Sequence, residues 1–230
     1  MQHSFSVIIC CAGVGRRLQM AKTKALITIM DRPLIAWQLL ALKNVSDIRI
    51  VVGYQAHDVI DYVKTIRNDV LFVFNHDYET TGTAASLARA AKGVKDLVLS
   101  LDGDLLITPP SLQAFIANQQ PLLGFVPVST EEPSYAALNR ETQKIDFFGT
   151  PASAETHTVV EWSGLCCLSS SQLQQSIAMG LDKKHVYQLI EPYLPMPSFA
   201  INAQEVDTPS DFEAAERFLT ANYHLWEEML

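Results

Sequence analysis

Phe5-Ser6-Val7-Ile8-Ile9-Cys10-Cys11-Ala12-Gly13-Val14-Gly15-Arg16-Arg17-Leu18 is the stretch on which the fold turns. Phe5 to Cys10 is apolar with little polar alternation, the pattern of a strand covered on both faces. Gly13 and Gly15 follow at once. Glycines after a buried strand let backbone N–H groups approach an anion closely. The turn is not a dinucleotide fingerprint, which needs Gly or Ala where Leu18 stands. Nor is it a P-loop, because no Gly-Lys-Ser/Thr follows. Arg16 and Lys24 remain as cations able to grip phosphates, Arg by bidentate clamping and Lys as a compact charge.

Outward from this turn, apolar runs alternate with amphipathic ones. Asp31-Arg32-Pro33 predicts a helix start, with Ile35, Leu39 and Leu42 on its apolar face through about Lys43. Strands are expected at 48–52, 70–74 and 97–101, and helices at 57–67 and 83–91. This βαβαβαβ order predicts an α/β fold, three layers deep, with a mostly parallel mixed sheet and helices on both faces. In the second half, 111–118 reads as helix, 123–128 and 159–168 as strands, and 171–179 and 184–190 as helices. Residues 129–158 are polar and turn-rich. Pro192, Pro195 and Pro197 mark a loop. Thr208-Pro209-Ser210-Asp211 opens a last helix, with Phe212, Ala215, Phe218 and Leu219 as its stripe. No linker separates the halves, so a single domain over 1–230 is expected, with 1–110 binding nucleotide and 111–230 the second substrate.

The 230 residues carry 17 Lys and Arg against 25 Asp and Glu, a net charge of −8. That balance excludes an extended nucleic-acid footprint, which needs a basic face. The first 30 residues contain no acid but include Arg16, Arg17, Lys22 and Lys24. A purely basic segment beside a Gly-rich turn points to a small anionic ligand. The four cysteines form two adjacent pairs, Cys10-Cys11 and Cys166-Cys167. Neighbours on a strand face opposite ways, so they read as reduced core residues. No apolar stretch approaches membrane-span length, and a cytoplasmic location is expected.

Asp102-Gly103-Asp104 ends the strand at 97–101. Open parallel sheets bind ligands at the carboxyl ends of their strands. Carboxylates there suit a hard cation such as Mg²⁺, which brings phosphates with it, although a loop acid capping the next helix explains the triplet as well. The strand period places Asp102 and Asp104 on one side. The six histidines are scattered without ligand spacing.

Gly13-x-Gly15-x-Arg17, Lys24-Ala25-Leu26 and Asp31-Arg32-Pro33-Leu34-Ile35 together resemble the signature of the nucleotidyltransferase family. Val51-Val52-Gly53-Tyr54, Asn75 to Ser86, Gly103-Asp104 and Glu205-Val206-Asp207 continue the likeness in order over nearly the whole chain. The segment Asn75 to Leu87 is most similar to the phosphocholine cytidylyltransferase-like branch, with sugar-1-phosphate nucleotidylyltransferases beside it. Two positions depart from the pattern. Thr23 replaces the proline before the lysine, which would loosen Lys24. Asp31 replaces a glycine, which would bring a negative charge towards the phosphate loop.

The resemblance implies a Rossmann-like fold of the GT-A type and transfer of a nucleoside monophosphate, CMP from CTP foremost. The acceptor would be a small phosphate or phosphonate such as phosphocholine, with pyrophosphate released. It implies Mg²⁺ on Asp104 and Asp207, Lys24 at the α-phosphate, and Gly13, Gly15 and Arg17, with Arg16 in support, at the β- and γ-phosphates. Cys11 and Ala12 would lie against the base, with Asn75, Gly82, Thr83, Ser86 and Asp102 completing the nucleotide site. Glu161 would contact the acceptor, and Trp162, Tyr187 and Tyr193 would cage a quaternary ammonium. A phosphomonoester is already anionic at neutral pH, so no general base is needed. The expected partners are a nucleoside triphosphate and the acceptor, with no nucleic acid and no membrane insertion; a homodimer is allowed. Three alternatives stay open: a sugar-1-phosphate nucleotidylyltransferase, a GT-A glycosyltransferase using Asp102-Gly103-Asp104 as its Asp-x-Asp, and a non-catalytic nucleotide-binding subunit.

Overall fold

The computed structural model describes residues 4–15, 22–130, 133–227 and 229. In chain order its strands are β1 (Phe5–Cys11), β2 (Thr28–Ile29), β3 (Arg32–Pro33), β4 (Ile48–Val52), β5 (Val70–Phe74), β6 (Leu97–Asp102), β7 (Leu105–Ile107), β8 (Leu122–Val126), β9 (Tyr135–Asn139), β10 (Lys144–Phe148), β11 (His157–Ser169), β12 (Met196–Ala200) and β13 (Ala203–Glu205). The helices are α1 (Leu34–Ala41), α2 (Ala56–Ile66), α3 (Thr83–Ala90), α4 (Pro109–Ala117), α5 (Ser170–Ala178), α6 (Val186–Ile190) and α7 (Pro209–Glu227).

Nine strands form one sheet in the order β5-β4-β1-β6-β11-β8-β12-β10-β9. The first four pair in parallel, as the βαβ pattern requires. From β6 onward the pairing turns antiparallel, except for β8 beside β12. The parallel part is therefore the half that carries the Gly13 turn. Strand β9 pairs with both β10 and β11, so the second half of the sheet curls back on itself.

Helices cover both faces. Val7, Ile9 and Cys11 of β1 pack with Ile35 and Leu39 of α1, Val59 and Val63 of α2 and Phe115 of α4. On the other face, Ile8 packs with Leu87 of α3, Leu173 of α5 and Leu189 of α6. The two cysteine pairs split between these cores as strand alternation requires, Cys11 and Cys167 on one side and Cys10 and Cys166 on the other. All four are free thiols, and burial pushes each pKa up.

Three local expectations give way. The first is Asp31, which begins no helix. With Met30 at φ 58, it forms the turn of the β2–β3 hairpin, and α1 starts after Pro33. Acids serve turns and N-caps by the same side-chain chemistry. The second is the polar stretch 129–158, which holds β9 and β10. The third is the proline-rich segment, whose end, Met196–Ala200, is a strand; its Pro197 pairs with Lys144 where β10 and β12 meet for only two residues. No helix among the described residues is long and apolar enough to cross a membrane.

Candidate active site

Asp104 lies just beyond the carboxyl end of β6. Strand β13 runs antiparallel to β7, with Glu205 opposite Leu105, and the Val206 N–H donates to the Asp104 carbonyl at 3.0 Å. This pairing brings Asp207, a hundred residues later, beside Asp104. Asp207 is fixed in turn by α7. The Asp211 carboxylate accepts from the N–H groups of Asp207 (2.9 Å) and Thr208 (2.7 Å) before the helix begins.

Both carboxylates converge on one ammonium. Lys24 Nζ donates to Asp104 Oδ2 at 2.8 Å and to Asp207 Oδ1. Gly15 makes room for it. Its φ of +63 suits glycine, and a Cβ there would lie 2.9 Å from Lys24 Cγ. Burial alone would lower the Lys24 pKa, but Asp104 and then Asp207 outweigh it and hold the ammonium well above the ordinary lysine range. Thr23 sits at φ −61, inside the range of the proline that the family pattern has there. Asp31 is exposed at its hairpin and does not line the cleft.

Cys10, Cys11, Gly13, Gly15, Asp102 and Asp104 share a cleft of about 420 Å³ with Lys24 and Asp207. Arg16 and Arg17 lie outside the described residues. Asp102 and Asp104 both line the cleft but differ in setting. A Cβ on Gly164 would stand 2.4 Å from Asp102 Oδ2, so Asp102 is pressed against β11. Its Oδ1 is buried without a hydrogen-bond partner among the described residues. Burial, then the Asp104 charge, pushes the Asp102 carboxyl well up, against the pull of Lys24. Glu205 also lines the cleft. Burial and then Asp104, Asp102 and Asp207 push its carboxyl up. Asp102, Asp104, Glu205 and Asp207 thus crowd the same cleft as Lys24, and the buried pair Asp102 and Glu205 answers the crowding by holding its protons more tightly.

A recess of about 120 Å³ adjoins the cleft, lined by Ala12, Asn75, Tyr78, Thr81, Gly82, Thr83 and Ser86. The expected nucleotide-binding residues Ala12, Asn75, Gly82, Thr83 and Ser86 are thus brought together. The Asn75 amide is committed to the protein. It donates to Thr81 Oγ1 and Ser86 Oγ, each at 3.0 Å, and accepts from Asp77 N–H at 3.1 Å. Asn75 builds the wall of the recess. Gly82 closes it from the other side, where the carbonyls of Lys183 and Lys184 take the N–H groups of Gly82 and Ala84 at the start of α3.

The expected acceptor residues do not form one cage. Trp162 and Tyr187 are linked through Phe148, at centroid distances of 5.4 and 5.7 Å, and Tyr187 stacks on His185 at 5.2 Å. Tyr193 takes no part in this row among the described residues. Its hydroxyl donates to the Gln172 carbonyl of α5 at 2.7 Å. Glu161 is buried, and its carboxylate accepts from Ser129 N–H (2.9 Å), Thr130 N–H (3.3 Å) and Thr130 Oγ1 (2.5 Å). It braces a loop, because a buried carboxylate must find donors.

Sequence reasoning gave no role in the site to Glu205, His185, Phe148 or Gln38. Gln38 was a lone amide in an apolar helix. Its Nε2 donates to the carbonyls of Asp102 (2.7 Å) and Leu105 (2.9 Å), spanning the turn that presents Asp104. A buried amide must find partners, but its burial shows only in the fold.

Comparison with known proteins bears on the family and the fold. The bifunctional protein GlmU of a Nitratiruptor species is 33% identical over 117 residues, 50% of this chain and 27% of that protein. GlmU of Geotalea daltonii is 26% identical over 187 residues, 75% of this chain and 40% of that one. The chain therefore spans between 27% and 40% of the length of these curated relatives. Among solved structures, the CTP:phosphocholine cytidylyltransferase LicC from Streptococcus pneumoniae superposes with a TM-score of 0.72 at 20% identity, covering 94% of this chain and 99% of that one. The inositol-1-phosphate CTP transferase from T. maritima gives 0.78 at 16% identity, covering 100% and 97%. At such identities the likeness concerns the fold. The sequence model of the MobA-like NTP transferase domain matches residues 7–193, from the first strand to beyond the loop that carries His185, and the chain belongs to that family.

Proposed function

We propose that the chain is a nucleotidyltransferase that moves a nucleoside monophosphate, CMP from CTP foremost, onto a small phosphorylated or phosphonate acceptor such as phosphocholine. The observation that carries this reading is the convergence of Lys24, Asp104 and Asp207 in a cleft beside the Gly13–Gly15 turn. The recess past Ala12 offers the place for the base. The choice of CTP follows the two cytidylyltransferases among the structural neighbours, and UTP, GTP or dTTP with a sugar 1-phosphate is the alternative.

An acceptor oxygen attacks the α-phosphorus, the bond to the bridging β-oxygen breaks, and pyrophosphate leaves with both electrons. The acceptor is already anionic, so no protein base is required. The difficulty is bringing two polyanions together, which fixed cations and positioning overcome. Lys24 holds the α-phosphate oxygens once they compete for its ammonium. Gly13 and Gly15 present backbone N–H groups to the phosphate tail, and by the family likeness Arg17 and Arg16 would add charge there. Ala12, Thr83 and Ser86 seat the base within walls built by Asn75 and Gly82.

Asp104 and Asp207 fit Mg²⁺. They are hard oxygen donors, already converging on one cation, and Mg²⁺ is bound by one or two carboxylates plus substrate phosphates. When bound there, Mg²⁺ supplies charge neutralisation at the triphosphate.

His185, Tyr187, Phe148 and Trp162 form an aromatic row from the cleft that would favour a cationic or flat-faced acceptor. An Asp-x-Asp glycosyltransferase is the weaker reading, because Asp102 is turned against Gly164 with its carboxyl pushed towards the neutral form. A thermal-shift screen of the four nucleoside triphosphates with Mg²⁺, against phosphocholine, aminoethylphosphonate and sugar phosphates, tests the proposal. CTP and one acceptor should raise the melting temperature together. No shift with any triphosphate contradicts it.

A further inference from the structure

We propose that Gln55 is a positioning residue for Lys24, acting as a latch on the backbone of Thr23. The proposal rests on the reading of Lys24 as the α-phosphate lysine. Thr23 is 1% exposed, so its N–H has no access to water and needs a protein acceptor. That acceptor is Gln55 Oε1, at 2.7 Å and 32 residues away in sequence. The Thr23 carbonyl is also taken, by Leu26 N–H at 3.0 Å, opening the short helical turn Lys24–Leu26. Both polar groups of the residue before Lys24 are therefore fixed.

The backbone of Gln55 supports the inference independently. It stands in the left-handed region, φ 50 and ψ 38, which residues with a Cβ occupy at a cost. The neighbouring chain holds it there. Tyr54 N–H donates to the Ala12 carbonyl at 3.0 Å, and a Cβ on Gly53 would lie 2.8 Å from that same oxygen. The 53–55 loop is thus docked on the end of β1, and from there the Gln55 amide reaches across to Thr23. The strain sits where the side chain ties the Gly13 turn's neighbourhood to the lysine segment.

Two variants separate the latch from general packing. Gln55→Gly removes the acceptor and relieves the left-handed strain at once. Thr23→Pro then supplies the missing constraint, because a proline ring locks φ where Thr23 already sits. Proline alone would put its ring where the N–H points and collide with Oε1, so Thr23→Pro belongs with Gln55→Gly.

Amide exchange, melting temperature and steady-state kinetics are measured on the whole protein. The Thr23 amide should be protected in the wild type and exposed in Gln55→Gly. That variant should stay folded with a modestly lower melting temperature, because relieved strain offsets only part of the lost hydrogen bond, yet lose about 10- to 100-fold in kcat with little change in KM for the triphosphate. Thr23→Pro with Gln55→Gly should recover most of the lost kcat. A freely exchanging Thr23 amide in the wild type overturns the latch. So does a wild-type kcat in Gln55→Gly, or a loss that proline does not repair. If the wild type transfers no nucleotide to any acceptor, the reading of Lys24 fails, while the exchange result still decides whether the latch exists.

Discussion

Replacing Lys24 with methionine tests what holds the cleft together in the absence of substrate. The change keeps an unbranched side chain one heavy atom shorter and removes the charge shared by Asp104 and Asp207. All three side chains are mostly buried, at 18%, 17% and 18% exposure. Removing one partner of a fully buried ion pair costs about 3–5 kcal/mol, and partial access to water reduces this to roughly 2–4 kcal/mol. For a chain of this size that is a fall in melting temperature of roughly 4–16 °C. Two carboxylates are left facing each other, and a divalent cation then no longer competes with the ammonium for them. Millimolar Mg²⁺ should therefore stabilise Lys24→Met more than the wild type. Thermal denaturation with and without Mg²⁺ reads both effects. A variant that melts with the wild type, or an equal Mg²⁺ shift in both proteins, would refute the reasoning. With substrates present, the same variant should lose about 10²–10³ in kcat.

Further outcomes follow from single contacts. Gly82→Ala puts a Cβ 1.9 Å from the Lys184 carbonyl oxygen. Backbone must move, so stability should fall by about 1–3 kcal/mol in urea unfolding and triphosphate affinity should weaken with it. Asp47 accepts from Ser6 Oγ at 2.6 Å and Arg49 Nε at 3.2 Å. Burial raises its pKa, but these hydrogen bonds, with the Arg49 charge, hold the carboxyl below the usual range. Its stabilisation is present above the unfolded carboxylate pKa and lost as pH falls through the lower folded value. The stability gap between wild type and Asp47→Asn should thus shrink on acidification below about pH 4, as unfolding at several pH values would record. Tyr187→Leu removes one ring of the aromatic row. It should raise KM for a quaternary-ammonium acceptor by roughly 2- to 30-fold while KM for the triphosphate holds, if that row seats the acceptor.

How much of this was legible in the sequence depends on how local the determinants are. Strands β1, β4 and β6 are short apolar runs covered on both faces, and β5 at the sheet edge is as apolar, so their pattern needs no tertiary information. Strands β9 and β10 are different. Tyr135 and Phe147 are exposed on them, so no clean alternation marks a buried face. Proline obscured β12, and Asp31 signalled a turn and a helix cap equally well. Within the site, the glycines and Lys24 stand close in sequence and could be read together. The meeting of Asp104 with Asp207 depends on the β7–β13 pairing, which no local pattern encodes, and only the family likeness anticipated it. Gln38 and Gln55 went unread for the same reason: each acts through long-range hydrogen bonding to backbone, which an isolated glutamine does not announce.

The central claim is that Lys24, Asp104 and Asp207 serve one nucleotidyl transfer. The most direct measurement is pyrophosphate release from CTP and Mg²⁺ with each acceptor, the second product being identified by mass, in the wild type and in Asp104→Ala. The account predicts release that requires an acceptor, matches a nucleoside-diphosphate-linked product mole for mole, and falls by about 10²–10³ in the variant. Turnover without pyrophosphate, or an Asp104→Ala protein as active as the wild type, would contradict it.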